Sequence, residues 1–183
     1  MAAIQISQTD EQIHIALWDW LTSVSPAGVE IFKGDDNRVP QPGNYPDLGF
    51  IVMQKVGNTK LSTNETSYTD DQINSIEDET QQQFYDYSFQ LDVCGINSSD
   101  LSRIISILFR SDAGCRFFEP YGIQPLYSDD PKYSSIVNGE DQYEQRWTMT
   151  IHLQFNPTVS MPSEFSDEAM VATINVDATY PLV

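Results

Sequence analysis

The sequence is short of basic residues, and that shortage excludes two classes of partner. Nine Lys and Arg stand against 27 Asp and Glu, which gives a formal net charge of −18. A protein that holds nucleic acid through its phosphates, or docks on anionic lipid, needs clustered basic side chains. The arginines are instead scattered along the chain. We therefore expect them to form ion pairs within or between subunits.

Cysteines and long apolar runs are also scarce. Cys94 and Cys115 are too few for a disulfide framework, and we expect both to be reduced thiols in or near the core. The sequence opens without a basic region followed by an apolar run. Nothing approaches the roughly 18 apolar residues that could span a membrane. We therefore expect a cytoplasmic chain without a membrane span.

The residues of an active site are hard to assemble from this sequence. Of its two histidines, His14 lies near the apolar face of a predicted helix, and His152 lies on the polar side of a predicted strand, where we expect it to face solvent. Nucleophile-elbow, zinc-protease, CxxC and phosphate-loop motifs are all missing. The acidic pairs lack the ligand spacing and glycine of a calcium loop. We predict no catalytic residue, no cofactor and no metal, and hence no enzyme.

What is present is enough for one folded domain over residues 1–183, because 40% of the residues are hydrophobic. Residues 9–25 are predicted to form a helix that begins with a capping box of Thr9 and Gln12. A second helix begins near Ser98, Ser99 or Asp100 and ends before Gly114, which suits the left-handed position past a helix end. Its predicted apolar face comprises Leu101, Ile104, Ile105, Leu108 and Phe109.

Strands are predicted from alternation of apolar and polar residues, most clearly over 85–93 and 143–155. Shorter strands are predicted at 29–33, 48–56, 116–119 and 172–180, with loops at 34–47, 57–80 and 120–142 and a linker at 157–168. The order α-β-β-β-α-β-β-β predicts an α+β fold, with a mostly antiparallel sheet and two helices packed on one face.

Two segments, 57–80 and 120–142, are predicted to be extended loops or hairpin arms. The first is polar and acidic and contains few large apolar side chains. Isolated apolar groups of this kind favour the cores of interfaces. We therefore predict that an oligomer interface includes Leu61, Tyr68, Ile73 and Ile76.

The order of these segments resembles that of the neck or tail terminator proteins of contractile-tailed bacteriophages. The resemblance covers roughly residues 10–182 and rests on pattern and order. It begins with LWDWL in the first helix and a Pro-rich loop, and it continues through the segments YPDLGF, IVMQKV, FYDYSFQLDVCG, SSDLSRIISILFRS, QYEQRWTMTIHLQF and VATINVDATYPL.

The resemblance implies a tail-terminator-like fold and a structural role in the virion. Such proteins form rings, commonly hexameric, that stop tail growth and join the tail to the head. Their expected partners are copies of themselves, tail tube or sheath proteins and head-tail connector proteins, with DNA passing through the lumen without specific binding. The family has no catalytic residues to transfer to this chain.

Other functions remain open on the sequence alone. The chain could be another tail or head-tail completion component, or part of a contractile injection machine, because one fold serves related tasks. A hypothesis of another class is an acidic regulatory protein that mimics DNA, with carboxylates at duplex phosphate spacing. An unrecognised hydrolase is a further alternative, which no constellation of residues supports.

Overall fold

A computed structural model describes residues 4–35, 49–69, 76–137 and 143–164. Within these ranges the chain forms three α-helices, a short 3-10 helix at Glu119–Tyr121 and two β-sheets. The α-helices are α1 (Asp10–Val24), α2 (Ser98–Phe109) and α3 (Asp112–Phe118). The strands are β1 (Gln5–Ile6), β2 (Glu30–Lys33), β3 (Phe50–Lys60), β4 (Glu65–Thr69), β5 (Ile76–Gln82), β6 (Tyr85–Cys94), β7 (Ile123–Ser128), β8 (Lys132–Val137), β9 (Tyr143–Phe155) and β10 (Thr158–Glu164).

The larger sheet has the strand order β2-β3-β6-β9-β7. Strand β8 also pairs with β9, outside this order. All described pairs in it are antiparallel except β2 with β3. Long strands β6 and β9 form its centre, with Phe89 opposite Ile151 in the register. The alternation in these two strands puts one face of the sheet in the core and leaves the other polar.

The helices cover the apolar face of this sheet. One continuous cluster of buried residues includes Leu17 and Trp20 of α1, Ile105 of α2 and Phe118 of α3, together with Phe89 of β6. Trp20 contacts the rings of Phe109 and Phe118, with centroid distances of 5.3 and 5.6 Å. The prediction of an α+β fold with a mostly antiparallel sheet is confirmed, although three helices rather than two pack in the described part of the chain.

Three strands of the smaller sheet lie where the sequence predicts an extended loop or hairpin arm, at 57–80, and a linker, at 157–168. Its strand order is β1-β10-β5-β4, and every pair is antiparallel. The segment 57–80 thus supplies the end of β3, all of β4 and most of β5. The linker predicted at 157–168 is wrong, because β10 occupies Thr158–Glu164 and pairs with both β1 and β5. These strands contain few large apolar side chains, so alternation of apolar and polar residues does not indicate them in the sequence.

Two further local predictions are wrong in the region after α2. Residues 116–118 of the strand predicted at 116–119 form the second half of α3, and Glu119 begins the 3-10 helix. Gly114 lies buried inside α3 rather than beyond a helix end. In the segment 120–142, β7 and β8 each pair with β9 and extend the larger sheet. The strand predicted at 172–180 and most of the 34–47 loop lie outside the described residues.

Helix starts illustrate what local chemistry can specify. The capping box is confirmed, because the Gln12 backbone N–H donates to Thr9 Oγ1 and the Thr9 N–H donates to Gln12 Oε1. At α2 the cap is Asn97, which makes no side-chain hydrogen bond to the helix. The caps predicted at Ser98, Ser99 or Asp100 are therefore wrong, and all three residues lie within the first turn.

Candidate functional site

The predicted interface residues belong to one segment, residues 61–82, which contains β4 and β5 and is called the arm below. Leu61 follows β3 directly and is half exposed, and its backbone N–H donates to Phe84 O at 2.9 Å. Tyr68 lies in β4, which is one edge strand of the smaller sheet in the described ranges, and its side chain is exposed. Ile76 begins β5. Ile73 and the side chain of Ile76 lie outside what is described.

This arm is joined to the larger sheet by Gln83, which is buried between β5 and β6. Its Nε2 donates to the backbone oxygens of Ser62 at 2.7 Å and Phe84 at 3.2 Å. Its backbone N–H donates to Pro157 O at 3.2 Å, which ties in the segment before β10. A backbone held at several points loses little further conformational entropy when it meets a partner. The arm is therefore suited to presenting side chains in fixed positions.

The open face of the larger sheet has a cluster of polar side chains around His152, here called the histidine cluster. The sequence predicts that His152 lies on this face but does not predict its neighbours. His152 Nδ1 lies 3.0 Å from Asp86 Oδ2 and 3.4 Å from Ser88 Oγ, and the imidazole stacks on Tyr127 at a centroid distance of 4.2 Å. The expectation that His152 faces solvent is wrong, because its side chain is only 14% exposed. Ser88 and Asp86 both contact Nδ1 of His152, whereas in a catalytic triad the serine and the acidic residue contact opposite ring nitrogens.

A second polar cluster on the same face joins β6 to β9. Asp92 accepts hydrogen bonds from Arg146 at 2.8 Å, from Thr148 at 2.7 Å and from the Gln90 amide at 3.1 Å. Arg103 and Arg116 pair with Asp100 and Asp112 on their own helices. The expected ion pairs within the subunit are therefore present for these three arginines. Each pair neutralises one carboxylate. Because the acidic side chains far outnumber the basic ones, most carboxylates of the chain are left to solvent.

Both cysteines are free thiols, as predicted. Burial, reinforced by the Asp92 carboxylate, raises the pKa of the Cys94 thiol to about 11. Cys115 is half-buried in α3 and accepts a weak hydrogen bond from the Gln124 amide at 3.5 Å. Among the described residues, no three His, Cys, Asp or Glu side chains gather as metal ligands. No helix in the described ranges is long and apolar enough to cross a membrane.

An apolar groove between α1 and β2 was missed by sequence reasoning. It encloses about 370 Å³, and its apolar lining includes Ile15 and Trp18 of α1 and Ile31 of β2. Trp18 remains 44% exposed. A buried His14 also lines the groove, and its Nδ1 donates to Asp10 O at 2.8 Å, whereas its Nε2 has no partner among the described residues.

The outer side of α2 is the second surface that sequence reasoning missed. Ile107 is 73% exposed and Ile104 is 42% exposed, although Ile104 had been predicted to face the core. That prediction is wrong because the side of α2 that faces the sheet is the one with buried Leu101, Ile105 and Phe109. Leu108 packs against the same core, while Ile104 turns away from it. Arg103 and Arg110 are exposed on the same side of the helix. Ile104 and Ile105 both fit an apolar stripe, so periodicity cannot separate them.

These features define a class of protein. Exposed apolar surfaces on an α+β scaffold are typical of a protein that contacts other proteins. A family model described as phage neck terminator protein matches residues 11–181, and the chain belongs to this family. It is a structural protein of the bacteriophage neck, and the resemblance inferred from the sequence is confirmed. A search of curated proteins finds no match to the sequence.

Proposed function

We propose that this chain is the subunit of a homo-oligomeric ring, a hexamer, that ends tail assembly and connects the tail to the head. Family membership over residues 11–181 is the observation that supports this function. In this proposal the chain folds as one domain over residues 1–183 and assembles in the host cytoplasm before it enters the virion. Its neighbours are tail tube or sheath proteins on one side and head-tail connector proteins on the other. It has no catalytic task.

The charge of the chain supports passage of DNA through such a ring. Six copies of a chain with net charge −18 surround the lumen with excess carboxylates. Carboxylates that face the lumen repel phosphates, so DNA passes without being held. A ring structure with a neutral or basic channel would refute this part of the proposal.

The arm, residues 61–82, is proposed as one contact between subunits. Exposed Leu61 and Tyr68 are its described apolar groups, and Ile73 and Ile76 complete the set predicted from the sequence. Isolated apolar side chains on a rigid polar strand pair are suited to the core of a small interface. Because β5 pairs with β10, deletion of the arm would expose β10 as well. Point substitutions therefore test this contact more cleanly than a deletion.

The first experiment is the solution mass of the purified chain, measured by light scattering behind a sizing column at low and moderate salt. A hexamer has six times the 20.7 kDa subunit mass, which is about 124 kDa for a closed ring. A discrete mass of that size supports the ring, and its lumen can then be imaged by electron microscopy. A chain that stays monomeric, both alone and with isolated tails, contradicts the proposal.

The second experiment tests the arm in the same assay. Leu61→Ser and Tyr68→Ser are expected to lower the oligomer mass without unfolding the monomer, because both side chains are exposed. The matched control is Ile96→Ser, since Ile96 is 71% exposed but lies outside the arm. If both arm variants keep the mass of the unmodified chain, the arm makes no contact between subunits.

A further inference from the structure

The outer side of α2 contrasts with the rest of this acidic chain. Exposed Arg103, Ile104, Ile107 and Arg110 share it, and Asp100 is the acidic group beside them. Arg110 has no ion-pair partner among the described residues, and Arg103 lies 3.8 Å from Asp100 in a pair that solvent screens. A helix face with two exposed isoleucines and two arginines is unusual on a protein with net charge −18. It is suited to an apolar, acidic partner surface.

The groove between α1 and β2 has the complementary features. Its apolar part includes Ile15, Trp18 and Ile31, and β2 is one edge strand of the larger sheet in the described part of the chain. Glu11 on its rim is 68% exposed and only partly neutralised by Lys33, whose Nζ lies 3.2 Å from it. Glu30, at the start of β2, is exposed as well. The groove thus offers apolar contact area with Glu11 and Lys33 in its lining, and exposed Glu30 lies beside it at the start of β2.

We propose that the outer side of α2 of one copy docks in the α1–β2 groove of the next copy. Ile107 and Ile104 supply the apolar contact with Ile15 and Trp18, and the arginines face the carboxylates at the rim. Opposite charge at the edge of an apolar contact guides the register of two subunits and disfavours other pairings. The occupant is a second copy, because this chain supplies both an apolar groove with exposed Glu11 and Glu30 at its edge and an apolar helix side with exposed Arg103 and Arg110.

The two surfaces are different, which determines the symmetry of the contact. A two-fold dimer brings the same patch of both subunits together, whereas a contact between unlike patches is head-to-tail and closes into a ring or continues as a filament. This inference rests on the proposed ring and adds a second contact, separate from the arm. With such a contact, an incomplete ring has a free groove at one end and a free α2 side at the other. The next copy adds at either end.

Disulfide trapping tests this contact in the full chain. In a Cys115→Ser background, which leaves buried Cys94 as the native thiol, one sample has Ile107→Cys and a second has Ile15→Cys. Oxidation of the mixture is expected to join residue 107 of one copy to residue 15 of another, identified by peptide mass. Each variant alone is expected to remain largely uncrosslinked, because the contact is between unlike patches. The control mixture uses Ile96→Cys in place of Ile107→Cys.

A substitution provides the second arm of the test. Ile107→Asp is expected to weaken self-association about tenfold or more, since it puts a charge in the apolar centre of the contact. Circular dichroism checks that this exposed substitution leaves the monomer folded, and Ile96→Asp is the control. The inference is overturned if Ile107→Asp forms oligomers normally and the mixture of cysteine variants gives no crosslink between residues 107 and 15. The proposed ring is unaffected by that result. A wild-type chain that is monomeric at every concentration, and on isolated tails, overturns both.

Discussion

Gly114 of α3 lies against the carbonyl oxygen of Phe109, the last residue of α2. A β-carbon at position 114 would lie 2.4 Å from Phe109 O and 2.6 Å from Leu108 O, both of them backbone atoms that cannot rotate away. The two helices are joined at this point by only Arg110 and Ser111, and Ser111 Oγ accepts from the Gly114 N–H. The close approach of the two helices therefore depends on the absence of a side chain at 114.

Gly114→Ala is expected to destabilise the monomer by about 2–3 kcal/mol, because the backbone of α2 or α3 must shift to admit the methyl group. Urea unfolding followed by tryptophan fluorescence measures the change. Gly57→Ala is the matched control, since a β-carbon there meets nothing within 4 Å, and its effect is expected to lie within about 0.5 kcal/mol. Equal effects of the two substitutions would show that the helix packing tolerates a side chain at 114.

Asp92 is expected to contribute strongly to the pairing of β6 with β9. Asp92→Ala removes the acceptor of Arg146, Thr148 and Gln90, and we expect a loss of about 3 kcal/mol in the free energy of unfolding. The comparison is Asp112→Ala, whose pair with Arg116 is largely exposed on both sides. That substitution is expected to cost less than about 1 kcal/mol. A small loss for Asp92→Ala would mean that water replaces these bonds.

Acid is expected to weaken the contact between α1 and β3. A hydrogen bond from Lys55 at 2.6 Å, with a further one from the Tyr87 hydroxyl, lowers the pKa of Asp10 below its ordinary value of 3.8. A lowered folded-state pKa stabilises the fold above the unfolded value, and this stabilisation is lost as pH falls through the folded value. The difference in stability between wild type and Asp10→Asn should therefore be present at neutral pH and vanish in strong acid.

The measurement is urea unfolding of both proteins between about pH 7 and about pH 2.5. In a Lys55→Met background the same Asp10→Asn substitution should show a much weaker pH dependence, because the principal partner is gone. A stability difference that does not change over this pH range would contradict the role assigned to the Lys55 contact.

The two thiols are expected to react at very different rates. Cys94 is buried and its pKa of about 11 leaves little thiolate near neutrality, whereas Cys115 is partly accessible. A thiol reagent at about pH 8 should label one cysteine quickly in the native protein and both in denaturant. The Cys115→Ser variant should lose the fast reaction. Fast labelling of that variant would show that the end of β6 opens readily.

Several elements were predictable because their signal is local. The capping box of Thr9 and Gln12 and the alternation in β6 and β9 depend on neighbours in sequence, so they specify the start of α1 and the buried face of the sheet. The family resemblance followed from the order of such elements and is confirmed. The arm contact at Leu61 and Tyr68 stays a prediction, because exposure of the two side chains does not by itself place a second subunit against them.

Other features needed the tertiary structure, since they depend on distant neighbours. Gly114 has the signal of a helix end, yet the backbone of α2 places it within a second helix. Ile104 and Ile105 fit the same stripe, and only the space above the sheet decides which is buried. His152 lies on the polar side by alternation, but Tyr127 and Asp86 enclose it from two other strands. The sequence thus determined the main elements, and long-range packing determined which surfaces remain free to bind.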